Sequence, residues 1–145
     1  MKTLVSILLL SSLMFAPILA AGADRAPSTD KSAIVQSLVT GISSENDGLR
    51  TSAAVVMKEV IDKAIVQPED FSGSLVPLLK MLDNGRTADE RIAAAVALYS
   101  LDNGIGIYRL RGSARFDNSE KVRIVSKNLY YSFHTLHHSK YFLDF

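Results

Sequence analysis

Three segments of the chain can be laid over one another, and each is centred on an arginine: Arg50, Arg91 and Arg123. A small residue follows each arginine after three positions, and a large apolar or aromatic residue follows it after seven. The spacing between the arginines falls within the roughly 30–50 residues that are typical of helical repeat proteins. Such a repeat restricts the chain to a fold in which similar units stack and contact mainly their neighbours.

From Lys31 onward, apolar residues recur with the spacing of a helix face, and no segment shows the sustained alternation of a strand. The pattern predicts helices over residues 31–43, 47–65, 72–83, 88–101, 104–115 and 119–136. The arginine-centred segments form the second, fourth and sixth of these helices, and a shorter predicted helix precedes each one. The sequence therefore predicts an all-α fold, a short α-solenoid of about three antiparallel helix pairs.

The arginine-centred segments contain the patterns LR-x-x-AA, R-x-x-AA-x-x-L and VR-x-x-S-x-x-LY. In these patterns the chain resembles the HEAT-repeat family, in particular its short HEAT-like repeats, from about Lys31 to Leu136. The resemblance implies a HEAT-like solenoid that acts as a protein-binding scaffold. The family pattern also has an aspartate six residues before the arginine. Here only Asp117, before Arg123, keeps that place, so the repeats are degenerate and we expect Asp117 to engage Arg123.

Ala93, Ala94 and Ala95 stand in the fourth predicted helix, where a core helix usually carries larger side chains. Three small residues in a row allow neighbouring backbones to approach on several sides. In a stack, the second helix of the middle pair contacts its own partner and both adjacent pairs. We therefore expect this helix to lie at the centre of the fold.

The second, fourth and sixth predicted helices each begin with a side-chain oxygen that is followed three residues later by a carboxylate. The oxygen can accept a hydrogen bond from a free backbone N–H, and the carboxylate lies near the positive end of the helix dipole. These predicted capping pairs are Ser44 and Asp47, Thr87 and Glu90, and Asp117 and Glu120.

The first 23 residues have the form of a secretory signal peptide. Lys2 precedes an apolar stretch over residues 4–13, and Ala21-Gly22-Ala23 has the small-residue pattern of a cleavage site. We expect cleavage near Ala23 and a secreted or periplasmic location. The alternative is an uncleaved N-terminal membrane anchor, which is the one link to a membrane that we expect. Residues 24–30 are then a flexible leader, residues 31–138 the HEAT-like repeat domain, and residues 139–145 an aromatic C-terminal tail.

Without residues 1–23, basic and acidic residues are equal in number, so the net charge gives no indication of a nucleic-acid partner. Basic residues are nevertheless concentrated after residue 108. Arg109, Arg111 and Arg115 are therefore candidates for a patch that binds an anionic partner: an acidic protein, a polysaccharide or a lipid headgroup. The alternative is that they are ordinary solvated residues of a helix face. Since the chain has no cysteine, an exported fold has to be stabilised by burial without disulfides.

Aromatic residues are frequent near the end of the sequence, and Tyr141 and Phe142 are candidates for partner binding. The alternative is that residues 139–145 cover the end of the stack, because repeat arrays need capping segments. Both roles use the same residue types, so the sequence leaves both open.

His134 and His138 lie one turn apart on a continuing helix, a spacing that can bind a transition metal. No third ligand accompanies them in the pattern, and the alternative is a solvated helix end, so we expect no metal or other cofactor. Motifs of nucleophilic catalysis and of phosphate binding are missing. The sequence thus predicts an exported, non-catalytic protein-interaction module or scaffold in the cell envelope, whose partner is another protein. The alternative is a periplasmic ligand- or metal-binding protein that uses the C-terminal histidines.

Overall fold

A computed structural model describes residues 30–137, and helices account for most of this range. In chain order they are α1 (Lys31–Ile42), α2 (Asp47–Asp62), α3 (Leu75–Asn84), α4 (Ala88–Ser100), α5 (Gly104–Phe116) and α6 (Glu120–Leu136). A 3₁₀ helix over Pro68–Ser74 precedes α3. Between residues 30 and 137 there is no strand, so the predicted all-α class is confirmed.

The connection between α2 and α3 is where the observed helices differ most from the predicted ones. Helix α2 ends at Asp62, because Ala64 adopts a left-handed conformation with φ of 52° and turns the chain out of the helix. Helix α3 begins at Leu75, because the preceding residues form the 3₁₀ helix, in which Phe71 leaves helical geometry and is buried in the core.

The caps agree with the predicted pairs at only one helix. Thr87 precedes α4 and accepts a hydrogen bond from the Glu90 backbone N–H at 3.1 Å, as predicted. At α2 the prediction is wrong, because Asn46 and not Ser44 is the capping residue. At α6 it is also wrong: Ser119 stands at the cap, and Asp117 accepts a hydrogen bond from the Ser119 N–H at 2.7 Å.

Helix α4 lies at the centre of the described fold. It packs against α2, α3, α5 and α6. The three alanines of its sequence are buried, together with Ala97 and Leu98. Larger side chains from the surrounding elements complete the core: Met57, Phe71, Leu78, Leu82 and Leu110. The expectation that the fourth helix lies at the centre of the fold is confirmed.

Helices that follow one another in the chain pack together as pairs, and the second helices of successive pairs also pack together. Helix α1 packs on α2, α3 on α4, and α5 on α6, while α2, α4 and α6 also pack on one another in that order. The approach of α1 to α2 is close, because a Cβ atom added to Gly41 would lie 2.8 Å from the Cβ of Ala53. Across residues 30–137, no helix combines the length and apolar character that spanning a bilayer requires.

Candidate interaction surface

The three aligned arginines make the same hydrogen bond within their own helix pair. Each donates from Nη1 to the backbone carbonyl of the residue six positions earlier. Arg50 donates to Ser44 and Arg91 to Gly85, both at 2.8 Å, and Arg123 donates to Asp117 at 2.7 Å. The alignment drawn from the sequence therefore places the three guanidinium groups in equivalent surroundings.

Arg50 also joins the first helix pair to the second. Its Nε and Nη2 donate to Oε1 of Glu90 at 2.9 and 2.6 Å, across the interface between α2 and α4. Glu90 is only 1% exposed, and its other oxygen accepts a hydrogen bond from the backbone N–H of Arg86 at 2.9 Å. The sequence pattern assigned this carboxylate to the start of its own helix. Its principal role is instead a buried ion pair with the preceding helix pair.

Arg91 forms the corresponding link to the third helix pair. It makes two parallel hydrogen bonds to the carboxylate of Asp117, both at 2.9 Å, and a further one to the side-chain oxygen of Asn118 at 2.7 Å. Such a two-pronged arginine–carboxylate contact fixes the orientation of both groups. The expectation that Asp117 engages Arg123 is correct only for the backbone carbonyl, since the carboxylate binds Arg91.

The surroundings of Asp117 change the pKa of its carboxyl group. Burial tends to raise the pKa of this carboxyl group. Hydrogen bonds from Arg91 and from the Ser119 N–H, together with the charges of Arg91 and Arg123, lower the pKa by more than burial raises it. The net pKa lies below the ordinary value of an aspartate. Asp117 is therefore held in its charged form in the folded protein at neutral pH.

Two clefts lie between neighbouring helix pairs at equivalent places. The first has a volume of about 450 Å³ and includes the Arg50–Glu90 ion pair, and the second has a volume of about 340 Å³ and includes Asp117. Five lining residues of the first cleft stand at the same sequence distances before Arg91 as five of the second stand before Arg123. They are Pro77, Lys80, Met81, Asn84 and Gly85 in the first cleft, and Arg109, Gly112, Ser113, Phe116 and Asp117 in the second.

The three candidate arginines on α5 have different surroundings. Arg109 forms an ion pair with Asp83, which joins α5 to α3. Arg111 is half-buried, and its Nε makes no hydrogen bond inside the described range. Arg115 is exposed and lies near the C-terminal end of the same helix. All three arginines line one cleft along α5, and Arg109 in addition holds α5 to α3 through its ion pair.

Two exposed aromatic residues, which the sequence analysis did not single out, stand beside these arginines. Tyr108 is 69% exposed and Phe116 is 83% exposed. Together with Arg111 and Arg115 they line a shallow cleft of about 240 Å³ along α5. We call these four residues the α5 face. The sequence does contain a signal for this face: Tyr108, Arg111 and Arg115 are three and four residues apart, the spacing of side chains on one side of a helix.

The histidines near the C-terminal end of α6 lie among aromatic rings. The ring of His134 is 4.4 Å from that of Tyr130, and burial followed by the nearby charge of His137 lowers the pKa of His134. His137 stacks on Phe133 and lies 3.3 Å from the carboxylate of Asp102. In the described part of the chain, no three potential metal ligands lie together.

The other predicted site residues, His138, Tyr141 and Phe142, lie outside the described residues. Comparisons with protein-family models, with curated proteins and with solved structures find no match to this chain.

Proposed function

We propose that this protein is an exported, non-catalytic protein-interaction module, built as a short HEAT-like solenoid of three antiparallel helix pairs, α1–α2, α3–α4 and α5–α6. Two findings support the solenoid. The aligned arginines make the same hydrogen bond in each pair, and the two clefts between pairs are lined from equivalent positions. Stacked helix pairs of this kind present extended surfaces that suit the binding of other proteins.

The observation that supports a binding role most directly is the α5 face. It exposes two large aromatic side chains next to two arginines around a shallow cleft. Aromatic residues and arginine are the types that most often supply the binding energy of protein interfaces. An exposed aromatic such as Phe116 is therefore a good anchor for a partner's apolar pocket or side chain.

The charge of α5 indicates the chemistry of the partner. The helix contains three arginines and no acidic residue. A partner with carboxylates around an apolar centre would complement both the arginines and the aromatic rings. Contacts of this type speed association and weaken as salt is added. We therefore propose an acidic protein surface as the partner of the α5 face.

Affinity capture with matched variants tests this function. The tagged full chain is expressed in its own cells and captured from extract and envelope fraction, beside a Tyr108→Ala/Phe116→Ala double variant. Val76→Ala serves as a control, because Val76 is an exposed residue of α3 at the position equivalent to Tyr108. We expect a protein that binds the wild type and the control but not the double variant, and Arg111→Glu should weaken its binding in a salt-dependent manner. Identical capture by all variants would contradict the role of the α5 face.

The proposed export rests on residues 1–23, which lie outside the described residues. Amino-terminal sequencing of the protein recovered from the periplasm or medium should begin at or near Asp24. An intact Met1 in a membrane fraction would instead support an uncleaved anchor.

A further inference from the structure

The cleft between the first two helix pairs differs from the equivalent cleft between the second and third pairs in what joins its walls. In the second cleft, Arg109 of α5 and Asp83 of α3 form an ion pair between the two walls. The residues at the equivalent positions of the first cleft are Pro77 and Ile42, which carry no charge. The first cleft is therefore not closed by an ion pair at this place. Its volume of about 450 Å³ falls within the roughly 300–1,000 Å³ that is typical of small-molecule sites.

Two opposite charges line this first cleft from different walls. Lys80 belongs to α3, and Glu45 belongs to the connection between α1 and α2. Both side chains are exposed, and neither makes an ion pair or a hydrogen bond with the other or with any further residue from 30 to 137. Asn84 lines the cleft one turn after Lys80, on the same side of α3. One wall thus offers a cation and an amide, and the other offers a carboxylate.

The remaining charges beside the cleft compensate one another. Arg50 pairs with both Glu90 and Asp47. Arg86 lies 3.4 Å from the other oxygen of Asp47. Two cations therefore balance two carboxylates, and the charges of the two walls are left over. A ligand with a single charge would satisfy only one wall, whereas a zwitterion would satisfy both.

Apolar side chains complete the lining of the cleft. Ile42 and Met81 are only 1% and 3% exposed, and Pro77 is half-buried. Because such residues form a base that the fold already shields from water, an apolar group of a ligand placed against them is also removed from water. The cleft therefore favours a ligand that carries an apolar side chain as well as two opposite charges.

We propose that this cleft binds a small zwitterion, a short apolar peptide with free ends. The peptide's carboxylate contacts Lys80 and Asn84, its ammonium group contacts Glu45, and its side chains pack against the apolar base. Even helices in direct contact have axes roughly 8–10 Å apart, so a peptide spans two helix pairs better than a single amino acid does. The proposal goes beyond the binding role of the α5 face, because no residue of that face lines this cleft.

A titration followed by NMR tests the proposal on the isotope-labelled protein purified from cells that express the full sequence, with leucyl-leucine as the ligand. We expect saturable changes of amide shifts around the cleft, with half-saturation below about 1 mM, and no changes at the α5 face. Acetylation of the peptide's amine, or amidation of its carboxylate, should each weaken binding about tenfold, because each removes one charge.

Two charge-neutral variants assign the ends of the peptide to the walls. Glu45→Gln should bind leucyl-leucine about tenfold more weakly, but should bind the acetylated peptide as the wild type does, because that peptide has no ammonium group. Lys80→Gln should behave in the same way towards the amidated peptide, which has no carboxylate. Neither side chain makes a contact inside the described range that the replacement would break, so a loss of binding is not a folding defect.

Glu69→Gln and Lys121→Gln are the matched controls, since both residues are exposed and lie outside the cleft, and both variants should bind leucyl-leucine like the wild type. The Tyr108→Ala/Phe116→Ala variant should also bind it unchanged, which separates this site from the α5 face. The proposal would be overturned by the absence of saturable changes up to about 10 mM peptide. End-blocked peptides that bind as tightly as the free one, or Glu45 and Lys80 variants that bind like the wild type, would overturn it too.

Discussion

Among individual residues, Glu90 is the one on which the junction between the first two helix pairs depends most. It is buried, and it binds both Arg50 and the backbone N–H of Arg86. Glu90→Ala should lower the free energy of unfolding by about 2–4 kcal/mol, because it removes the buried acceptor of the Arg50 guanidinium and the acceptor of the Arg86 backbone N–H. Urea unfolding followed by circular dichroism measures the loss.

Two further variants define the cause of that loss. Glu90→Gln keeps an acceptor oxygen but removes the charge, so its effect should be smaller than that of Glu90→Ala. Asp47→Ala removes the more exposed partner of Arg50 and should cost about 1 kcal/mol or less. Equal losses for Glu90→Ala and Asp47→Ala would mean that the buried Arg50–Glu90 ion pair stabilises the fold no more than the exposed Arg50–Asp47 pair.

Asp117 makes stability depend on pH. Its pKa is lower in the folded protein than in the unfolded chain, where an aspartate titrates near 3.9. Its contribution to stability is therefore complete above that value and is lost as the pH falls through the lowered folded pKa. The difference in unfolding free energy between the wild type and Asp117→Asn should shrink as the pH falls below about 4. A difference that stays constant over the same acid series would contradict this assignment, and Glu45→Gln provides an exposed control.

Glu90 and Asp117 also show the limit of what the sequence predicts. The alignment of Arg50, Arg91 and Arg123 follows from short-range pattern, and the structure places them equivalently. Their acceptors in the next helix pair were not predicted, because Glu90 and Asp117 also fit local roles at the start of a helix. A pattern along one segment contains no information on how the neighbouring segment is rotated against it.

Whole helices were easier to predict than the connections between them. The periodic spacing of apolar residues located all the helices from α1 to α6, whereas the 3₁₀ helix over Pro68–Ser74 has no periodic pattern and was partly read as α3. The left-handed residue that ends α2 is Ala64, although such positions usually carry glycine or asparagine. Local propensity therefore gave no sign of that end.

Helix α4 allows a test of close packing at the level of an element. Ala94 is fully buried on it. Ala94→Leu should lower the free energy of unfolding by about 1–3 kcal/mol, because the added atoms force the adjacent helices apart. Ala33→Leu is the matched control, since Ala33 is exposed on α1 and should change stability by less than about 0.5 kcal/mol. Thermal and urea unfolding of both variants compare the two sites. A tolerated leucine at position 94 would contradict close packing around α4.

For the domain as a whole, the arrangement around α4 predicts how stability is distributed. Helix α4 packs against four other helices, whereas α1 packs mainly against α2 and the 3₁₀ helix. Amide groups in elements with many buried contacts exchange only when the whole domain unfolds, and those in weakly held elements exchange through local opening. Hydrogen exchange followed by mass spectrometry should therefore show the slowest exchange in α4 and faster exchange in α1. Glu90→Ala should speed exchange in α1 and α2 more than in α5 and α6, because it breaks the link between the first pair and the rest. Uniform acceleration across all helices would mean that the domain opens only as a single unit.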